Sequence, residues 1–252
     1  MLAGAEPWSA AGGDAGALVL HGLTGTPQSV RPLAEAFAEA GFTVELPLLP
    51  GHGTSVADVV PSRFEDWSGA AEAVCADLVA RCATVVVAGL SMGGTLAAWL
   101  AARHEGLAGI VVVNPLLQPP APSARAMLAG ALAEGVETAP GIGSDIAAPG
   151  VSELAYPEMP IAATLSLFDA VEALAPRLPA IRCPVLLFSS RQDHVVPPDS
   201  GDLLAQSVSG PIERVWLEGS YHVATLDNDR TEIEAGAVMF ARRVSAAPYW
   251  SP

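Results

Sequence analysis

The chain has 252 residues, 51% hydrophobic and 15% charged, which is enough apolar material for one large core and too much for a disordered chain. Its formal charge of −15 excludes nucleic acid as an electrostatic partner, and all 12 basic residues are arginine, so chemistries that need a lysine amine are excluded as well. These include the P-loop, the pyridoxal Schiff base, the kinases and the S-x-x-K nucleophile.

Short apolar runs rich in β-branched residues alternate with helical patterns along the chain, the signature of crossover units on a mostly parallel sheet. The N-terminal "MLAGAEPWSAAGGDAG" lacks a basic region followed by an apolar stretch, and no run reaches the ~18 apolar residues of a spanning helix, so a cytoplasmic protein is expected. Strands are predicted at 16–22, 41–47, 84–90, 109–115, 183–190 and 212–219. Most are apolar throughout, as strands buried on both faces are. Amphipathic stretches at 29–40, 63–82, 94–104, 199–208 and 229–245 fill the gaps, and the apolar residues from Phe64 to Cys82 recur at helical spacing, which makes them core. Residues 116–178, rich in Ala and Pro, break the alternation and read as a cap or lid inserted into one domain spanning 1–252. Cys75, Cys82 and Cys183 show no metal-ligand spacing and read as reduced thiols.

"GLSMG" at 89–93 has the form G-x-S-x-G, with a predicted strand before it and a small-residue helix after it. Glycine on both sides of Ser91 allows the close backbone approach that such a turn needs, and the helix N-terminus favours a developing anion. A serine hydroxyl needs a positioned base, and that base an orienting carboxylate. Of His21, His52, His104, His194 and His222, the last is the best base, because "GSYHVATLD" follows the last predicted strand. Asp193 in "SSRQDHVVPP" follows the penultimate strand and is the candidate acid, ahead of Asp199, which reads as a helix cap, and of Asp227 and Asp229, which follow the histidine too closely. Two backbone N–H groups are expected to meet the oxyanion, from Met92 after the nucleophile and from Leu23 in the loop "HGLTGTP".

With these residues in place, the chain resembles the α/β-hydrolase carboxylesterases and, more closely, the bacterial monoacylglycerol lipases. The likeness runs from "HGLTGTPQSVRPLAEAFAEAGFTVELPLLPGHGT" through "GLSMGGTL" and "QDHVVPP" to "SYHVATLD". It implies an α/β-hydrolase fold, a mostly parallel central sheet flanked by helices with a cap insertion. It implies Ser91, Asp193 and His222 as nucleophile, acid and base, with oxyanion amides at Leu23 and Met92; Leu23 stands where bacterial members commonly carry Phe. Within the cap, "IGSD" and "SELAY" resemble segments lining the glycerol and acyl sites, which implies Ile142 at the pocket wall and Glu153 on a glycerol hydroxyl.

The expected activity is hydrolysis of monoacylglycerols to glycerol and fatty acid through an acyl-Ser91 intermediate. The partner is a small lipid ester, with no cofactor or metal and with transient lipid-surface contact through an apolar patch on the cap. A broad carboxylesterase with the same chemistry and a non-catalytic hydrolase-fold binding protein are the alternatives.

Overall fold

Each predicted apolar run forms a strand in the computed structural model, which describes residues 1–246. In chain order the elements are β1 (Trp8–Ala10), β2 (Ala15–Leu20), α1 (Arg31–Glu39), β3 (Thr43–Leu46), α2 (Val56–Val59) and α3 (Phe64–Arg81), then β4 (Thr84–Leu90), α4 (Met92–Ala101) and β5 (Gly109–Val113). The inserted region holds α5 (Pro122–Ala133), β6 (Thr138–Pro140), β7 (Glu158–Pro160) and α6 (Ile161–Leu174). The chain ends in β8 (Val185–Ser190), α7 (Asp199–Ser207), β9 (Ile212–Leu217) and α8 (Arg230–Ala246).

Seven strands form one sheet in the order β1-β3-β2-β4-β5-β8-β9, parallel except for β1, which pairs antiparallel with β3 at one edge. The strand β1 is absent from the sequence reading because three residues, Trp-Ser-Ala, are too few to show a period. Alternate residues of the inner strands feed two cores. Leu18, Leu20, Val85, Val87, Ile110 and Val112 face α3, α4 and α6, whereas Ala17, Val19, Val86, Ala88, Val111 and Val113 face α1 and α8. Helices thus cover both faces, which is why the strands read as unbroken apolar runs rather than alternating ones.

The inserted region is not uniform. Helix α5 buries only Leu128, while α6 sends Ala163, Leu167, Val171 and Leu174 into the core beside α3 and α4. The hairpin of β6 and β7 ties the two ends of the excursion together. Between them, residues 141–157 run without regular secondary structure over the cavity at the ends of the parallel strands.

Candidate active site

The turn that ends β4 is set by what its glycines leave out. A Cβ at Gly93 would stand 2.0 Å from the Leu20 carbonyl oxygen, and one at Gly89 would stand 2.1 Å from the Gly93 carbonyl oxygen, so α4 lies closer to the sheet than any side chain allows. Between them Ser91 takes φ 55° and ψ −117°, outside the regions L-residues prefer. Such strain costs on the order of 1–3 kcal/mol and persists only when the surroundings impose it. Here they do: the Ser91 N–H donates to Val113 O at 3.0 Å, and its carbonyl accepts the Thr95 N–H at 3.0 Å. Helix α4 therefore starts at Met92, two residues earlier than its sequence pattern suggests, and the Met92 N–H falls in the first turn, where no intrahelical acceptor exists.

At the ends of β8 and β9, Asp193 and His222 meet. His222 Nδ1 lies 2.8 Å from Asp193 Oδ2, with side-chain exposures of 8% and 1%, so water cannot compete for the contact. The other Asp193 oxygen accepts the N–H groups of Val195 and Val196, both at 2.8 Å, which fixes the carboxylate from its own loop. Asn114, at the end of β5, donates from Nδ2 to His222 O at 2.8 Å and to Ser190 Oγ at 2.9 Å, while its Oδ1 accepts the Ser190 N–H at 2.7 Å. One buried amide thereby joins three strand ends.

The loop after β2 reaches the same place. A Cβ at Gly22 would lie 3.4 Å from Ser91 Cβ, so the backbone around Leu23 passes directly beside the serine. Thr24 has φ 62°, and with Ser91 and Asn114 it makes up the set of non-glycine residues with positive φ among the described residues. All three follow the ends of neighbouring sheet strands, so backbone strain is concentrated around one point. The Leu23 N–H meets no acceptor among the described residues and remains available to a ligand.

A cavity of about 400 Å³ opens over this point, lined by Gly22, Leu23, Ser91 and His222 from the sheet side and by Ile142, Asp145 and Glu153 from the inserted segment. Leu116, Met159, Leu167, Phe168 and Val196 make one end apolar. Ile142 contributes to the rim while staying 57% exposed. Glu153 stands against the Gly25 backbone, where a Cβ would come within 2.5 Å of its Oε1. Burial pushes the Glu153 carboxyl up to about 7, against the opposing pull of His222 and of Ser29.

The competing residues are engaged elsewhere. His21 is buried with Nδ1 2.9 Å from Gly22 O, Nε2 accepts the Leu49 N–H, and burial together with His52 lowers its pKa to about 3. His52, lowered to about 4 by burial, packs on Trp67 and Tyr156, and His104 pairs with Glu72. Asp227 accepts the N–H groups of Tyr221, Ala147, Ala148 and Asn228, and Asp229 accepts that of Gly219. Asp199 is the first residue of α7 after Pro198 at the cap position, so it does not cap the helix; it lines the far end of the cavity. Burial raises the thiols of Cys75 to about 11 and Cys183 to about 12, and no group of three or more His, Cys, Asp or Glu among the described residues is arranged to hold a metal ion.

Two residues that shape the site, Asn114 and Asp145, carry no local signal. Asn114 merely ends an apolar run, and the partners of Asp145 stand 49 and 77 residues away in the chain.

Comparison with known proteins follows the same residues. The model of the alpha/beta hydrolase family matches residues 17–235. The chain is 45% identical over 96% of its length, and 96% of the relative's, to a thermostable monoacylglycerol lipase of Bacillus sp. (strain H-257). It is 26% identical, over 95% of its length and 97% of the relative's, to a carboxylesterase of Bacillus subtilis (strain 168). A solved structure from work on the metagenome-derived lipolytic enzymes LipS and LipT superposes with a TM-score of 0.91 at 45% identity, covering 96% of this chain and 99% of that one. The monoacylglycerol lipase of Paleococcus ferrophilus, at 21% identity over 96% of this chain and all of that one, shares the fold with a TM-score of 0.76. Since the matched span takes in all three strand-end loops, the chain belongs to the alpha/beta hydrolase family.

Proposed function

We propose that the protein hydrolyses monoacylglycerols to glycerol and fatty acid. The observation that carries this reading is the buried Asp193–His222 pair opening into the same cavity as the strained Ser91, in a chain homologous to lipolytic enzymes. Ser91 Oγ attacks the ester carbonyl carbon as His222 takes the hydroxyl proton, and Asp193 holds the ring and stabilises its charged form. The oxyanion is met by the N–H groups of Leu23 and Met92, each worth about 3 kcal/mol in the transition state. Collapse breaks the bond to the glycerol oxygen, which leaves with the proton from His222. Water, giving a proton to His222, then attacks the acyl-serine carbonyl; the fatty acid departs and Ser91 recovers its hydrogen.

Glu153 is the acceptor for a glycerol hydroxyl and Ile142 is a wall of the entrance. A carboxylate in the wall of a largely apolar cavity discriminates because a substrate without the hydroxyl leaves it unpaired. We place the cap at 116–178 of a single domain, and its Met127, Val136, Ile142 and Val151 are exposed, which supports transient contact with a lipid surface. No helix among the described residues is long and apolar enough to cross a membrane. A cytoplasmic location is supported by three cysteines with no disulfide.

The decisive experiment compares rates on a monoacylglycerol and on the methyl ester of the same acid. Wild type should prefer the glycerol ester, Ser91→Ala should lose on the order of 10⁶-fold in kcat with both, and Glu153→Gln should lose the preference alone. Equal rates with both esters and no effect of Glu153→Gln favour the broad carboxylesterase, for which the Bacillus subtilis relative speaks. Failure of Ser91 to take up a fluorophosphonate would favour the binding protein.

A further inference from the structure

The inserted segment does more than roof the cavity, because one of its carboxylates is built into the support of the base. Asp145 Oδ2 accepts the His222 N–H at 3.0 Å and the His194 N–H at 3.2 Å, and Oδ1 lies 2.8 Å from His194 Nδ1. The Asp145 carbonyl accepts the Val223 N–H at 3.0 Å, so the segment is bonded to the base loop at two successive residues. The side chain is 14% exposed, in the wall of the cavity.

We infer that Asp145 is a positioning residue, a cap carboxylate that holds the backbones of His222 and of the residue after Asp193 at the spacing their side-chain contact requires. The inference rests on the proposed roles of Ser91, Asp193 and His222. The His222 backbone is gripped on both sides, its N–H by Asp145 and its carbonyl by Asn114, which leaves the ring only its side-chain torsions. Among the described residues the Asp193 backbone has no such bond from another loop, and Asp145 steadies it through the neighbouring His194 N–H. Hydrogen bonds to a carboxylate are roughly twice as strong as neutral ones, and an error of ~1 Å in a catalytic group costs about 10²-fold in rate. The two backbone N–H groups share one oxygen, so an amide carbonyl here can still accept both with its NH₂ turned to His194 Nδ1, whereas an apolar side chain strands both donors. Burial raises the Asp145 carboxyl, but the bonds from His194 and from the His222 N–H outweigh it and hold the group ionised below its usual range.

The test separates this role from that of a mere cap anchor by using p-nitrophenyl acetate, whose acyl group is too short to need the cap. Asp145→Ala should lower kcat on this ester at least 10-fold with KM within about 2-fold, while thermal unfolding stays well above the assay temperature, and Asp145→Asn, which keeps one oxygen for both N–H groups, should recover most of that loss. His194→Ala, which removes the imidazole but keeps both backbone bonds, should stay within about 3-fold of wild type. Arg125→Ala, which frees α5 from Asp169 and Glu172 far from the base, should leave kcat on this ester unchanged. If Asp145→Ala does not fold, Asp145→Leu, of similar size and without an acceptor, is read by the same criteria. A kcat within 2-fold of wild type for the apolar Asp145 variant, or an equal fall in Asp145→Asn or Arg125→Ala, overturns the inference. If wild type and Ser91→Ala hydrolyse the ester alike, the proposed triad fails instead.

Discussion

The turn at Ser91 and the inserted segment at 141–157 meet in one cavity but are held by opposite means. Around Ser91 the fit is of backbone against backbone: Gly89, Gly93 and the Leu20 carbonyl leave no room for one more carbon. The inserted segment is held by polar side chains that reach across the chain. Gln28 bonds Ser152 O and the Leu154 N–H, Tyr156 bonds the Thr54 N–H and Gly51 O, and Asp227 bonds the N–H groups of Ala147 and Ala148. The first kind of contact is rigid and intolerant, whereas the second is divisible into single bonds that substitutions remove one at a time.

Gly93→Ala is the sharpest break of this comparison. The added methyl collides with the Leu20 carbonyl, and the expected destabilisation of about 4 kcal/mol or more should appear as loss of soluble protein or a collapse of Tm. Asn114→Ala comes next. It strands the Ser190 N–H and unfastens His222 O, at about 1–3 kcal/mol in denaturant unfolding, together with a fall in kcat on every ester. If either protein kept wild-type stability and rate, the rigid region would be no more constrained than the cap.

Glu153 probes the cap side through pH. Its carboxyl titrates near 7, so the ionised form, the stronger acceptor for a glycerol hydroxyl, is lost as pH falls through that value. KM for a monoacylglycerol should therefore rise below pH 7 in wild type but not in Glu153→Gln, while KM for a methyl ester stays level in both. Stability follows the same raised pKa. The folded state holds this proton more tightly than the unfolded one, so the contribution is greatest below the ordinary value of 4.5 and is lost as pH rises to about 7. Glu153→Gln should accordingly melt higher than wild type at pH 8 and no higher at pH 4. The smallest effect is expected at Arg125, whose pairs with Asp169 and Glu172 are largely solvated, so that Arg125→Ala should leave Tm close to that of wild type.

The same contrast explains what could be read from the chain. Strands β2, β4, β5 and β8 announce themselves because burial on both faces demands consecutive apolar residues, and the Ser91 turn does so because its constraint falls on five adjacent positions. Asp193 and His222 are legible as candidates from their place after two strands and from the segments "QDHVVPP" and "SYHVATLD" that carry the resemblance. Within the inserted region the α6 side chains that complete the core and the hairpin of β6 and β7 stayed hidden, since three-residue strands and a helix apolar on most sides leave no periodicity. Asp145 was beyond reach for another reason. Its neighbours in sequence say nothing of His194 and His222, and only the folded chain brings the three together.

The order of strands in the sheet bears on how the enzyme comes into being on the ribosome. Strand β4, which leads to Ser91, lies at the centre, and its neighbours β2 and β5 both leave the ribosome before β8 and β9, which lead to the proposed acid and base and join last on one side. At ~5–20 residues per second the stretch from Ser91 to His222 takes on the order of ten seconds to make. On the proposed roles of Ser91, Asp193 and His222, a chain truncated before β8 should hydrolyse esters far more slowly than the full chain however well it folds.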